Sequence, residues 1–205
     1  MNRRQILIGA AGTALVSIAP FGRLARAEAT AVHPDDRVLG AADAPITMIE
    51  YSSLTCPHCA AFHEGALPQI KKQWVAEGKV KLVFRHFPLD GLGLRAAAVA
   101  NCIDGDRHFA FLDLLFENQQ RWSRSPEPLK VLSQYARLAG LSQERFDACV
   151  SDREEMDKIL VRAEEGRTNY NVQSTPTLIV NGEKVEGAQP FEKFESIFRK
   201  TVPGA

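Results

Sequence analysis

The chain has 205 residues, of which 45% are hydrophobic and 24% charged, and it carries 25 basic and 25 acidic side chains. This composition excludes a disordered or fibrous chain, and the length is sufficient for one well-packed core, in one domain or in one domain with an insertion. The sequence contains no basic block, so we expect no nucleic acid among its partners.

The first 27 residues have the pattern of a secretory signal peptide. Arginines at positions 3 and 4 precede an uncharged run over residues 5–22, and the sequence Ala-Arg-Ala at 25–27 fits a small-x-small cleavage site. A membrane anchor, the alternative, is disfavoured because the run is short and rich in Ala, Gly and Ser. The arginine pair also fits a twin-arginine signal, so both the Sec and the twin-arginine route remain open. Cleavage would remove four arginines from the 25 basic groups and no acid, giving 21 against 25 and a net charge near −4.

A βαβ unit is predicted next, after a short edge strand at 37–40. Residues 46–51 are apolar on both faces, which is typical of a central strand covered by helices on each side. A helix is predicted from Cys59 to about residue 77, with a kink at Pro68. Residues 80–87 form the second strand, parallel to the first because a helix connects them. The core-facing residues of the helix recur at spacing four: Phe62, Ala66, Ile70 and Trp74.

Only helical patterns occur in the following 75 or so residues, and strands return at the end of the chain. The five predicted helices cover residues 92–104, 107–119, 129–139, 142–150 and 152–166. Trp122, after the second of them, is expected to pack in the core. Residues 177–180 and 183–187 flank Asn181-Gly182, a preferred two-residue hairpin turn, and a final helix covers 190–200.

These elements add up to the α/β thioredoxin fold, βαβ followed by ββα, with an inserted all-helical subdomain. The predicted division is a signal peptide at 1–27, the first half of the fold at 28–91, the helical subdomain at 92–169 and the second half at 170–205.

Cys56 and Cys59 lie two residues apart at the junction of the first strand and the first helix, where a CxxC pair indicates a redox dithiol or half of a metal site. A structural zinc site usually takes its ligands as close-spaced pairs, whereas 46 residues separate Cys102 from Cys149. For these two, a structural disulfide in an exported chain and two separate buried thiols both remain open. The βαβ context favours the redox interpretation of the CxxC pair.

The sequence Cys-Pro-His-Cys at 56–59 resembles the active-site tetrad of the DsbA family of periplasmic thiol:disulfide oxidoreductases. Glu50, six residues before the first cysteine, corresponds to the buried acid of that family. Thr175 and Pro176, just before the late strand, correspond to its cis-proline loop, and the helical insertion at 92–169 corresponds to its helical domain. The resemblance covers nearly all of the chain after the signal peptide.

The resemblance implies a redox-active Cys56–Cys59 disulfide that oxidises reduced exported client proteins in the periplasm and is reoxidised by a DsbB-like membrane protein. It implies no metal or other cofactor, and a second, structural disulfide between Cys102 and Cys149, as in some α-proteobacterial members. A monomer is expected, because isomerases of this fold dimerise through an added N-terminal segment, and only about ten residues lie between position 27 and the first strand.

Physical chemistry gives roles to the residues around the dithiol. Cys56 begins a helix, where unpaired N–H groups favour an anion, and His58 adds a positive charge or a hydrogen bond, so both lower the pKa of Cys56. Pro57 completes the tetrad. Glu50 is expected beneath Cys59, where it would move the proton of that thiol; the alternative is a solvated glutamate at the end of a strand.

Two features depart from the family pattern. Many members have a branched apolar residue where this chain has Thr175, which resembles some isomerases, so an isomerase or reductase is the second candidate function. The basic strand residue that accompanies the buried acid in some members is replaced by Phe84, with Arg85 next to it.

A metal-handling protein that uses the CxxC pair with His58 or His63 is the third candidate. We expect the remaining histidines to be surface or core residues: His33, His63, His86 and His108.

Overall fold

The computed structural model describes residues 32–105 and 107–202, so the predicted signal peptide lies outside the described residues. Within these residues five strands form one sheet in the order β1-β3-β2-β4-β5. β2 and β3 are parallel, and every other neighbouring pair is antiparallel, which confirms the thioredoxin fold. The strands are β1 (Arg37–Leu39), β2 (Ile46–Ser52), β3 (Val80–His86), β4 (Thr177–Val180) and β5 (Glu183–Glu186).

Helices cover the sheet and fill the chain between β3 and β4. Before β3 lie α1 (Pro57–Glu64), α2 (Ala66–Ile70) and a π-helical segment, Lys71–Val75. Between β3 and β4 lie α3 (Gly91–Asn101), α4 (Arg107–Glu117), α5 (Gln119–Ser123), α6 (Pro128–Leu138), α7 (Gln143–Cys149) and α8 (Arg153–Tyr170), and α9 (Phe191–Thr201) ends the fold. Over the part of the chain that is described, no helix has the length and apolar character needed to cross a membrane.

β2 is the central strand, and its alternating side chains enter two different cores. Met48 lies in the larger core, together with the buried side chains of α1, α2, α9 and most of the inserted helices. Ile49 and Tyr51 lie in a smaller core under α8. Because successive side chains of a strand point to opposite faces, Glu50 points to the same face as Met48, toward α1. The two cores explain why both faces of β2 are apolar. Because α1 follows this central strand, α1 begins near the middle of the molecule.

The first helix begins and breaks at other residues than predicted. It begins at Pro57, with Cys56 as its N-cap, instead of at Cys59. The break lies at Gly65 instead of at Pro68. Proline lacks the N–H that would bond to the carbonyl four residues earlier, so the disruption falls within the turn before Pro68. The predicted core stripe of this helix is confirmed, since all four of its residues are buried.

In the inserted helices, the predicted 107–119 segment ends at Glu117, and the short helix α5 follows it. Trp122 of α5 is fully buried, as predicted, and its Nε1 donates to the Leu115 carbonyl at 2.9 Å. The Asn181-Gly182 turn is also confirmed: both residues have positive φ, at 45° and 86°.

The last inserted helix, α8, runs through Gly166 to Tyr170, so the predicted end at residue 166 is wrong. Gly166 lies against Tyr51 in the small core, and a Cβ on it would come 2.5 Å from Tyr51 Cε1. The glycine therefore permits close packing of a helix on the sheet rather than ending the helix.

We expect Gly166→Ala to destabilise the protein by about 1–3 kcal/mol, the usual cost of overpacking a core, although alanine is the better helix former. Tyr51 has little room to yield because its ring is buried and its hydroxyl accepts from Arg85 Nη1 at 2.9 Å. Urea unfolding curves measure the difference. Gly91→Ala is the control, since a Cβ at that helical glycine meets no atom within 4 Å. Equal stability of the two variants would contradict the packing role.

Candidate active site

The CxxC pair lies at the N-terminus of α1, and its two sulfurs have different environments. Cys56 is the N-cap, with extended backbone at φ −84° and ψ 120°, and Pro57 occupies the first helical position, where its missing N–H costs nothing. Both thiols are free in the structure. Cys56 retains 5% exposure, whereas Cys59, inside the first turn, has 0%. Only Cys56 is therefore positioned for attack by a thiol from outside.

The surroundings of Cys56 favour its thiolate. A hydrogen bond from the Cys59 thiol, against the effect of burial, lowers the pKa of Cys56 to about 5, and the backbone N–H groups of Cys59 and His58 act in the same direction. These N–H groups lie in the first turn of α1, at the helix N-terminus, where the helix dipole favours an anion. His58 itself is exposed, so its contribution differs from the expected one: it comes from the backbone N–H.

Cys59 is held in its thiol form. Burial, followed by the hydrogen bond to Cys56, raises the pKa of Cys59 far above its ordinary value. The Ser53 N–H lies 3.5 Å from the Cys59 sulfur. The two pKa shifts have opposite signs, so the reduced pair carries one negative charge, and this charge is localised on the accessible sulfur.

The loop before β4 contacts the dithiol. The Cys56 thiol donates to the Thr175 carbonyl oxygen at 3.4 Å, and the peptide bond between Thr175 and Pro176 is cis. The structure thus brings together residues that are 119 positions apart. The Thr175 hydroxyl is buried, and the side chain of Thr175 also lowers the pKa of Cys56 through a hydrogen bond.

The inserted helices support the turn before α1 through two side chains that the sequence did not indicate. Gln119 Nε2 donates to the carbonyl oxygens of Leu54 and Cys56, each at 2.9 Å. Asp90, the N-cap of α3, accepts from the Thr55 hydroxyl at 2.7 Å and from the Gly93 N–H. Neither residue stands in a motif, so only the fold brings them to the active-site turn.

Glu50 is completely buried, which rules out the alternative of a solvated strand-end glutamate. Its Oε1 lies 2.9 Å from Nε2 of His63, and its Oε2 has no hydrogen-bond partner among the described residues. His63 is one helical turn after Cys59 on the buried face of α1. The basic partner of the buried acid therefore comes from the helix and not from β3.

The strand alignment around this pair was predicted correctly. Phe84 lies opposite Glu50 in the β2–β3 ladder. Arg85 points to the other face of the sheet, where it forms an ion pair with Asp36 at 2.7 Å. His63 was expected to be an ordinary surface or core histidine. Its spacing of four from Cys59 was the signal that could have placed it on the same helix face.

Cys102 and Cys149 form a disulfide in the structure, with an S–S distance of 2.00 Å. Cys102 follows the last residue of α3, and Cys149 ends α7. The bond therefore joins two inserted helices at the end of α3 remote from the active-site turn, because the other end of α3 carries Asp90. Among the described residues, no group of three or more His, Cys, Asp or Glu side chains is placed to hold a metal ion.

Comparisons with known proteins support the fold and identify the family of this chain. The family described as Thioredoxin matches residues 32–200. The crystal structure of a variant of alpha-DsbA1 from Wolbachia pipientis superimposes with a TM-score of 0.80 and is 31% identical, over 86% of this chain and 95% of that one. The chain belongs to the DsbA family.

Curated relatives of this DsbA-family protein carry related names. A putative protein-disulfide oxidoreductase of Rickettsia bellii is 30% identical over 76% of this chain. Disulfide bond formation protein D of Bacillus subtilis is 26% identical over 82% of it. The chain spans 60% of the length of the Rickettsia bellii relative and 77% of the Bacillus protein.

The pKa of Cys56 gives a pH prediction. In the reduced protein, thiolate absorbance near 240 nm should titrate with a midpoint at about pH 5. Because the folded pKa lies below that of an unfolded thiol, ~8.5, the reduced form gains stability over the oxidised form as pH rises from 5 and keeps the whole gain above 8.5. The gain is lost as pH falls through 5. Absorbance and denaturant unfolding at several pH values test both statements, and the Cys56→Ser variant provides the blank. A midpoint near that of a free thiol would contradict this description of the site.

Proposed function

We propose that this protein is a dithiol oxidase of the periplasm that introduces disulfides into exported proteins through Cys56 and Cys59. The observation that carries the proposal is the opposite environment of the two sulfurs: an accessible Cys56 that favours its thiolate and a buried Cys59 that favours its thiol. Stabilising the thiolate stabilises the reduced protein, so the disulfide form becomes a strong oxidant.

The proposed cycle begins with a Cys56–Cys59 disulfide. A client thiolate attacks the Cys56 sulfur, the bond between the two cysteines breaks, and Cys59 leaves as a thiolate that takes up a proton. A second client thiolate then attacks the client sulfur of the mixed disulfide, and Cys56 leaves as its stable thiolate. The client loses two electrons and gains a disulfide, and the protein is left as the dithiol. A low pKa makes Cys56 a good leaving group in this last step.

The clients are reduced exported proteins, and a DsbB-like membrane protein reoxidises the dithiol. The protein acts as a monomer, needs no cofactor and reaches the periplasm by the signal at residues 1–27. These parts of the proposal are supported by the family membership and by the export pattern of the sequence.

An isomerase or reductase on the same fold is the second candidate, because Thr175 and its buried hydroxyl lie next to Cys56. A metal-handling protein is less well supported, because both ring nitrogens of His63 are occupied by carboxylates instead of facing the sulfurs.

The test is to mix the oxidised protein with a reduced two-cysteine peptide and to follow peptide oxidation by mass spectrometry, with and without a chelator. We expect one peptide disulfide per protein molecule and no effect of the chelator. A parallel assay with a protein that contains scrambled disulfides distinguishes the candidates. Efficient reshuffling with little net oxidation would favour the isomerase, and no exchange in either assay would overturn the proposal.

A further inference from the structure

His63 connects the buried acid of the active site to the protein surface. Its Nε2 lies 2.9 Å from Glu50 Oε1, and its Nδ1 lies 3.3 Å from Oδ1 of Asp113 on α4. Lys71 Nζ contacts both Asp113 oxygens, at 2.7 and 2.6 Å. The side chains of Glu50 and His63 are 0% and 3% exposed, whereas that of Asp113 is 37% exposed. Two hydrogen bonds thus lead from a fully buried carboxylate to one that solvent reaches.

The ring is otherwise enclosed by aromatic side chains. Phe116 of α4 lies against it, with ring centroids 3.9 Å apart, and Phe84 of β3 and Phe62 of α1 contact it edge-on. The His63 ring therefore has aromatic neighbours on its faces and edges, and its hydrogen-bond partners are the two carboxylates.

The charged groups around His63 come from three elements: Glu50 from β2, Asp113 from α4, and Lys71, which lies behind Asp113. Burial opposes a charge on the imidazole, but the two carboxylates outweigh burial and raise the pKa of His63. His86, beyond Phe84, faces Asn101 and not this ring. The charges therefore alternate from Glu50 through His63 to Asp113 and Lys71.

Cys59 lies one helical turn before His63, the middle group of this chain. Residues four apart on a helix are neighbours, about 5–6 Å between Cβ atoms, and Cys59 and His63 are both on the buried face of α1. Because Cys59 has no exposure, a proton that it gains or loses has to pass through the protein. The chain from Glu50 through His63 to Asp113 supplies such a path.

We infer that His63 is a positioning residue that carries a proton between the buried Glu50 and the surface Asp113 when Cys59 changes its protonation state. The inference rests on the proposed dithiol exchange. When the disulfide opens, the electron pair of the S–S bond stays on the Cys59 sulfur, and one proton enters from solvent along the chain. When a mixed disulfide closes, Cys59 gives up that proton, attacks Cys56 and expels the bound thiolate, and the proton leaves by the same chain.

The test measures the closing step, in which Cys59 attacks Cys56 in the mixed disulfide and the Cys56–Cys59 disulfide forms. The reduced protein is mixed with excess oxidised glutathione at pH 5 to 8, quenched with acid at set times and analysed by mass spectrometry. The appearance of the mixed disulfide reports attack by Cys56, and its conversion to the closed disulfide reports attack by Cys59. Thiolate absorbance at 240 nm reports the pKa of Cys56 in the same variants.

His63→Gln keeps an N–H donor for Glu50 but cannot exchange a proton. We expect it to slow closing on the order of 100-fold at neutral pH, the lower end of what general acid–base catalysis contributes. The rate of attack by Cys56 and its titration should not change. Closing at the wild-type rate in a folded His63→Gln protein would overturn the inference.

Asp113→Asn is the second variant, because its site is partly exposed and the Glu50–His63 contact remains. Loss of this carboxylate lowers the pKa of His63, so the rise of the closing rate with pH should move to lower pH. Glu117→Gln is the matched control, because it also removes one negative charge from α4, at an exposed position. It should leave the pH dependence of the closing rate unchanged. An unchanged profile in Asp113→Asn would overturn the inference even if His63→Gln failed to fold. Failure of the proposed function itself would look different, because the mixed disulfide would then not form in the wild-type protein.

Discussion

Replacing either cysteine of the CxxC pair is expected to abolish catalytic oxidation of a reduced peptide, but the two variants should fail in different ways. Cys59→Ser retains the accessible thiolate of Cys56, so it should attack a disulfide-containing peptide and accumulate as a mixed disulfide. Cys56→Ser leaves only a fully buried thiol whose pKa is raised, so it should form no mixed disulfide. Non-reducing electrophoresis and intact-mass measurement distinguish the two results.

Circular dichroism of both variants checks that the fold is retained, and the wild-type protein supplies the turnover for comparison. Trapped complexes with Cys56→Ser but not with Cys59→Ser would reverse the roles assigned to the two sulfurs. Turnover that survives in either variant would contradict exchange through this pair.

Removing the second disulfide with Cys102→Ala and Cys149→Ala is expected to cost about 4 kcal/mol of unfolding free energy. The chain-entropy model gives this value for a loop of the observed sequence separation, 47 residues, because an unlinked unfolded chain is less constrained. Denaturant unfolding of the double variant and of the wild-type protein, both with the CxxC pair oxidised, measures the difference.

Val150→Ala is the matched control. It removes two side-chain carbons from the residue after α7, where the double variant removes two sulfurs, and it breaks no crosslink. Alkylation followed by mass measurement establishes that the wild-type sample contains the bond. A loss in the double variant no larger than that in the control would show that the disulfide does not stabilise the fold.

Most of the fold could be predicted from local sequence signals. The patterns at 46–51 and 80–87, the Asn181-Gly182 turn and the position of the CxxC pair were sufficient for the order of elements, because each reflects a local preference of strand, helix or turn. The boundaries were less accurate where tertiary contacts decide them. Gly166 shows the reason: a glycine in a helical pattern either ends the helix or admits a neighbouring ring, and only the position of Tyr51 distinguishes these outcomes.

The sequence predicted some residues of the active site and missed others. The dithiol, Glu50 and the loop at Thr175 and Pro176 could be identified because they stand in short motifs that resemble a known family. Gln119 and Asp90 could not, because they act through hydrogen bonds to backbone or hydroxyl groups, which any polar side chain of suitable length could make. His63 was visible as a histidine four residues after Cys59, but nothing local indicated which carboxylates it would meet.

The sequence by itself determined that this chain folds around a CxxC pair at the start of a helix, since both the pair and the strand-to-helix junction are local features. Only the tertiary structure decided how the two sulfurs differ. Their pKa values depend on burial, on the helix N-terminus and on the side chain of Thr175, which the fold brings in from a distant position. Electrostatic interactions act over a few ångströms in space whatever the separation along the chain, so the chemistry of the pair is set by the fold.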